Sequence, residues 1–261
     1  MAAVLKPLAV PIKQAGSTES NSANIRSALD RGLPEFAPAI VPNDGTFVIV
    51  ASGPTMPHFI EHIREEWEKG RAICAINGAY DYLVEQGITP HLFLTVDPRP
   101  MPQNVKNPQH DTIFLLASRV NPELYDRLKD HKVMVWHSWS TEPECDVWKG
   151  RFGIGGGTTS GLRAVNVGYL LGFRHFVMFG MDSCLASDKD TKRFTGEIVG
   201  DGWVTDVIVG DKTFYCNGAM AQQANEFQLL YQGMPDAKIE AMGDGLIAAI
   251  LAERRRLGKH A

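Results

Sequence analysis

The sequence predicts an α/β fold: a mostly parallel sheet with helices on both faces, plus a small β-hairpin insertion. Short apolar runs of strand length recur at 47–51, 71–76, 91–96, 112–117, 132–136, 175–180 and 238–242. Stretches with apolar residues at helical spacing separate most of them. Gly, Asn or Asp closes several of the strand runs, as a strand-to-helix turn requires. The alternation is Rossmann-like and has a chemical consequence. Strand-to-helix loops of such a sheet emerge at its carboxyl edge, where ligands bind.

Composition narrows the class. The chain has 261 residues, enough for a substantial core, and one domain with appendages is expected. Its apolar fraction of 44% and charged fraction of 21% are ordinary for a globular protein. A net charge of −4 argues against nucleic acid and anionic membranes as partners. Cys74, Cys145, Cys184 and Cys216 form no C-x-x-C pair and read as reduced thiols of a cytoplasmic protein. No run approaches a membrane span, and no export signal opens the chain. A homo-oligomer is compatible with all of this.

Residues 1–44 read as an N-terminal arm and an approach segment, and 45–261 as the Rossmann-like domain. Within the arm, 16–22 is linker-like, 25–31 is a short helix, and prolines punctuate 34–44. The strand at 47–51 ends in Ser52-Gly53-Pro54-Thr55, with Thr55 as N-cap and Pro57 in the first turn of the next helix. The strand at 71–76 ends in Asn77-Gly78 before a helix at 79–86, and that at 91–96 ends in Asp97. The strand at 112–117 precedes a helix at 122–129. A long connection at 137–157 has the length of a lid or binding loop. Gly155-Gly156-Gly157-Thr158-Thr159-Ser160 opens an apolar helix that Gly172 closes. The strand at 175–180 ends in Met181-Asp182, and 183–206 is polar and irregular. A hairpin spans 207–215 with Gly210-Asp211 at its tip. A helix at 217–231, the strand at 238–242 and a helix at 246–256 complete the chain.

Two turns are candidate anion sites. Gly53 permits close backbone approach, and a helix start at Thr55 would aim N–H groups at phosphate. The Gly156, Gly157, Thr158, Thr159 run offers a second such helix start with hydroxyl donors. Either turn can equally be structural. Asp97 and Asp182 each follow an apolar strand, where a carboxylate holds Mg²⁺, acts as a base, or caps a loop. Asn77 and Gly78 either contact a nucleotide or simply turn the chain. His137 opens the long loop as a possible acid or base, and His175 lies far from the rim. Trp136, Trp139 and Trp148 either stack on a ring or pack the loop, and 254–256 is a basic helix end. No G-x-S-x-G, H-E-x-x-H or paired C-x-x-C is present, so hydrolase-triad and zinc readings lack support.

Taken together, Ser52-Gly53-Pro54-Thr55, Ala75-Ile76-Asn77-Gly78, Pro90 with Val96-Asp97, Gly156-Gly157-Thr158-Thr159 and Phe179-Gly180-Met181-Asp182 form an ordered set. That set resembles the 6-hydroxymethylpterin diphosphokinase MptE-like domain, over 45–182 and more loosely to Gly245. Members of that family include archaeal pterin diphosphokinases, the central part of flagellin-modifying Maf glycosyltransferases, and stand-alone phage or prophage proteins. The pattern is also similar, more distantly, to bacterial sialyltransferases. The resemblance implies that Ser52, Gly53, Pro54 and Thr55 hold nucleotide phosphates and that Asn77 contacts the nucleotide. It implies a metal or substrate role for Asp97, with Gly157 to Thr159 and Asp182 completing the rim. Thr55 stands where relatives often have Ser, and both hydroxyls donate. The implied activity is Mg²⁺-dependent diphosphate transfer from ATP to a hydroxymethyl-type acceptor. A nucleotide-sugar glycosyltransferase and a non-catalytic phage module are the alternatives. No second-substrate signature is present, so the acceptor stays open.

Overall fold

The computed structural model describes residues 15–39, 41–101, 104–199 and 203–258. Eight strands form one sheet in the order β10-β7-β1-β2-β3-β4-β5-β6. Neighbouring strands in it run parallel: β1 (Asn43–Val50) pairs with β2 (Ala72–Ile76) on one side and β7 (Phe173–Phe179) on the other. Phe47, Val48, Ile49 and Val50 are all fully buried. Consecutive strand residues point to opposite faces, so both faces of β1 are covered.

The chain begins this sheet in its middle. From β1 it lays down β2, β3 (Leu92–Thr95), β4 (Ile113–Ala117), β5 (Lys132–Ser138) and β6 (Gly153–Ile154) to one side. It then returns through α5 (Ser160–Leu170) to place β7 on the opposite side of β1, with β10 (Lys238–Ala241) beyond it. The strand order therefore reverses between β1 and β7. A crevice opens at the carboxyl ends of strands at such a reversal.

Helices α2 (Ile60–Glu68), α3 (Ala79–Glu85), α4 (Pro122–Arg127), α6 (Gly218–Gln232) and α7 (Leu246–Arg256) are interleaved with the strands. The hairpin pairs β8 (Val204–Val209) with β9 (Lys212–Asn217), slightly longer than its sequence pattern indicates. Its inward residues Val207, Val209, Phe214 and Cys216 form a second small core with Met220 of α6 and Leu246 of α7. No helix among the described residues is long and apolar enough to cross a membrane. Burial pushes the thiols of Cys184 and Cys216 up to about 12, consistent with unreactive packing groups.

Two local expectations change. The stretch read as a linker at 16–22 is largely helix: α1 runs Thr18–Asp30, started by a capping box between Ser17 and Ser20. Its polar sequence hides a narrow buried stripe of Asn21, Ile25 and Ala28. Residues 1–14 of the expected arm lie outside the described residues. The connection at 137–157 is not one long loop. His137 belongs to β5, Pro143–Trp148 forms a 3₁₀ turn, and β6 adds an edge to the sheet. The basic helix end read at 254–256 is the last turn of α7, and within it Arg254 is buried with its guanidinium 4.9 Å over the Tyr231 ring.

Helix α5 crosses close to the central strands because Gly168 lacks a side chain. A Cβ there would stand 2.6 Å from Phe47 Cδ1 and 2.8 Å from Phe176 Cε1. Alanine is the better helix former by about 1 kcal/mol, but overpacking a tight core costs about 1–3 kcal/mol. Gly168→Ala is therefore expected to lower the urea-derived stability by about 1 kcal/mol net. An increase in stability would show that the helix has room to spare.

Candidate functional site

A cleft of about 220 Å³ occupies the reversal point. Its walls include Ser52, Gly53 and Pro54 after β1, Asn77 after β2, and Gly180 to Cys184 after β7. Thr159, Ser160 and Gly161 bring in the start of α5, and Asn217, Ala219 and Met220 the start of α6. Lys192 and Arg193 come from the irregular segment beyond β7. Several sequence-predicted residues thus share one cleft although they lie far apart in the chain.

The turn after β1 is built differently from expectation. Gly53 N–H donates to Gly180 O at 2.9 Å, and Thr55 N–H donates to Asp182 Oδ2 at 3.0 Å. Thr55 Oγ1 donates to Asp182 Oδ1 at 2.7 Å instead of capping a helix. A 3₁₀ turn, Met56–Phe59, intervenes before α2. The amides of Gly53 and Thr55 are therefore committed inside the protein rather than aimed at phosphate. Glycine is required at 53 by close approach: a Cβ would lie 2.3 Å from Asp182 Oδ2 and 2.4 Å from Gly180 O. Replacing Gly53 by valine would thus disturb the fold as well as the cleft.

The glycine run also serves packing first. Gly156 and Gly157 adopt φ of +98° and +102°, which favour glycine. Thr158 N–H and Oγ1 both donate to Glu226 Oε2 at 2.8 Å, so a carboxylate from α6 already fills that anion position. Gly156, Gly157 and Thr158 are not on the cleft wall; Thr159 is, as the N-cap of α5. Two helix N-termini do converge on the cleft. They are those of α5 and α6, not the pair at Thr55 and Thr158. First-turn amides of a helix have no partner within it and carry its positive dipole end.

Asp182 is 3% exposed. Burial, aided by the negative charge of Asp244, raises its carboxyl above the ordinary range despite the two Thr55 bonds. Asp97 behaves oppositely. Burial alone would raise it, but Arg99 donates to both its oxygens, at 2.8 and 2.5 Å, and the charges of Arg99 and Arg193 hold it low. Asp97 lies on neither cavity wall. All four oxygens of the two carboxylates are engaged, and Arg99 covers one pair. The two do not fit the shared Mg²⁺ site expected of them. Among the described residues no group of three His, Cys, Asp or Glu side chains is arranged to hold a metal.

Asn77 adopts φ +49°, and its Oδ1 is buried without a hydrogen-bond partner. Ser183, also on the cleft wall, has φ +53°. Left-handed backbone at non-glycine residues is uncommon and gathers at functional sites. Gly78 lines an adjoining cavity of about 290 Å³, which shares Ser52 and Arg193 with the first. His137 is structural: it stacks on Trp148 at 5.2 Å and bonds Ser118 Oγ at 3.0 Å. His175 sits between Thr46 and Glu240 along β7, as its distance from the rim implied. Trp136 and Trp148 are packing groups, and Trp139 is exposed.

Sequence reasoning missed Ser183, Lys192, Arg193, Asn217 and Gln223. The cations lie in a stretch with no periodicity, and nothing in the chain announces that it folds back to the Ser52 turn. Asn217 alone carried a signal, as a polar residue directly before an apolar helical run.

The sequence matches, over residues 19–188, the family described as 6-hydroxymethylpterin diphosphokinase MptE-like. Comparison with curated proteins gives no match. Among solved structures, a MAf glycosyltransferase from Magnetospirillum magneticum AMB-1 superposes with a TM-score of 0.65 at 13% identity. The match covers 94% of this chain and 43% of that one, and at this identity it speaks to fold.

A buried acid with a raised folded value makes a pH prediction. Below its ordinary value of 3.8, Asp182 is protonated in both states and adds no penalty. As pH rises through the raised folded value, the folded state loses a proton it had retained, and stability falls. Asp182→Asn lacks that titration. The stability of wild type relative to Asp182→Asn is expected to decline as pH rises above the ordinary value of 3.8 toward the raised folded value, measured by urea unfolding. A difference that stays flat or rises would show that Thr55 outweighs burial.

Proposed function

The chain belongs to the 6-hydroxymethylpterin diphosphokinase MptE-like family, and on that basis we propose that it is a nucleotide-dependent transferase. Its donor in this reading is ATP, and its acceptor a pterin-like compound bearing a hydroxymethyl group. The observation that carries the reading is the meeting of the α5 and α6 N-termini at one cleft, beside a second cavity. Polar donors line the first, which suits a nucleotide. The second opens across Ser52 and Arg193 and suits an acceptor.

The acceptor oxygen attacks the β-phosphorus of ATP. Its bond to that phosphorus forms as the bond from the β-phosphorus to the α,β-bridging oxygen breaks, and AMP leaves. The hydroxyl proton passes to Asp182, whose affinity for protons burial increases. First-turn amides of the two helices stabilise the charge that develops on the departing oxygen. Mg²⁺ enters with the phosphates as part of the MgATP substrate, since Asp97 and Asp182 do not fit a shared site. Asp97 orients Arg99 and faces Arg193 in this scheme.

A second reading rests on the likeness to the MAf glycosyltransferase. The same amides would then stabilise the nucleotide leaving group of a nucleotide-sugar as its sugar moves to an acceptor. Thermal-shift measurements with ATP, GTP, CMP-sugars and UDP-sugars, with and without Mg²⁺, separate the two. ATP at a hundredfold excess over Kd is expected to raise Tm by roughly 5–10 °C. Stabilisation by a nucleotide-sugar alone would favour the glycosyltransferase, and by none of them a non-catalytic module. Asn77→Gly preserves the left-handed backbone while removing the unpartnered oxygen. It is expected to weaken nucleotide binding about three- to tenfold, and unchanged affinity would take Asn77 out of the site.

A further inference from the structure

The segment between β7 and β8 carries a charge cluster to which the proposed chemistry assigns no grip on phosphate. Phe194 N–H donates to Ser52 O at 3.2 Å, tying this segment to the turn after β1. The Phe194 ring packs 5.0 Å from that of Tyr82 on α3. These ties hold Lys192 on the wall of the first cavity and Arg193 on the wall of both. Glu197 then bridges the two cations: Lys192 Nζ lies 2.7 Å from Oε1, and Arg193 Nη1 lies 3.1 Å from Oε2. One carboxylate thus places each of its oxygens on a separate cation beside a cleft rich in anion-binding features.

That arrangement is the one a phosphate would make with the same two side chains. A phosphate offers more oxygens and more charge, and arginine in particular matches its geometry. The bridging pairs are half-exposed, with side chains 30%, 38% and 42% accessible for Lys192, Arg193 and Glu197. Solvent-exposed pairs contribute little to stability, so exchanging one anion for another costs the fold little. Lys192 N–H also donates to Glu197 O at 2.7 Å, so the backbone keeps the turn closed when the carboxylate swings away.

Resting on the nucleotide reading of the cleft, we propose that Lys192 and Arg193 grip the polyphosphate chain and that Glu197 is the internal anion it displaces. Arg193, shared by both cavities, lies where a phosphoryl group would cross from donor to acceptor. Glu197 sets the affinity by competing for the same cations.

Calorimetric titration of the full chain with inorganic tripolyphosphate and, separately, with ATP tests this. Glu197→Gln keeps the side-chain size and is expected to tighten both ligands about fivefold. Lys192→Gln combined with Arg193→Gln is expected to weaken both about tenfold or more. Urea unfolding of each variant checks that the fold is retained. If wild type binds ATP but Glu197→Gln leaves affinity unchanged or weaker, the inference fails and the nucleotide reading stands. If no nucleotide binds while Glu197→Gln gains tripolyphosphate, the inference stands and the nucleotide reading fails. If neither protein binds either ligand, both fail.

Discussion

The bond set between Asp182 and Thr55 is the constraint on which the site depends. It joins the segment after β7 to the segment after β1 at the place where strand order reverses. Both carboxylate oxygens are used, one on the Thr55 amide and one on its hydroxyl. The Leu246 amide adds a third tie by donating to Asp182 O at 2.8 Å, which brings the start of α7 against the same corner. Only glycine at 53 leaves room for that carboxylate. The cleft therefore has a floor fixed by hydrogen bonds rather than by packing alone.

Such a corner is costly in one respect. A carboxylate at 3% exposure is desolvated, and Thr55 only partly compensates. Acids kept in that condition in a cleft are candidates for proton chemistry. Asp97 makes an instructive contrast, since Arg99 stabilises its charge and leaves it a weak base. Two aspartates that look equivalent in sequence are thus driven apart by their surroundings. In the proposed scheme the buried one exchanges protons, and the paired one holds an arginine in position.

The remaining polar architecture is arranged around helix starts and a returning segment. α6 matters here because the hairpin delivers Asn217 directly from β9 to the helix N-terminus, where it caps Met220 N–H at 2.9 Å. The small core beneath the hairpin anchors that delivery. The segment between β7 and β8 supplies cations from outside any helix or strand. Its own glutamate offsets part of their charge, so the cleft is less positive than its residue list suggests.

By itself the sequence determined the α/β class, nearly every strand, the hairpin, and the gathering of Ser52, Gly53, Asn77, Thr159 and Asp182 along one rim. Apolar runs of strand length and turn residues at their ends are local signals, and parallel connectivity carries those ends to the same edge. It also supplied an ordered motif set, and the family match over 19–188 spans the whole of it. What only the tertiary structure decided is which groups face the cavity and which satisfy one another. Thr55 meets Asp182 across 127 positions and Thr158 meets Glu226 across 68. No local pattern encodes a partner so distant. The Asp97–Arg99 pair is local by contrast, two residues apart, whereas Lys192 and Arg193 lie in a segment with no periodicity to read. Helix α1 was obscured for a different reason: its polar first half reads as linker until Asn21 finds Glu144. Local order follows from residue type and spacing, whereas the vacancy of a polar group depends on what the fold brings against it.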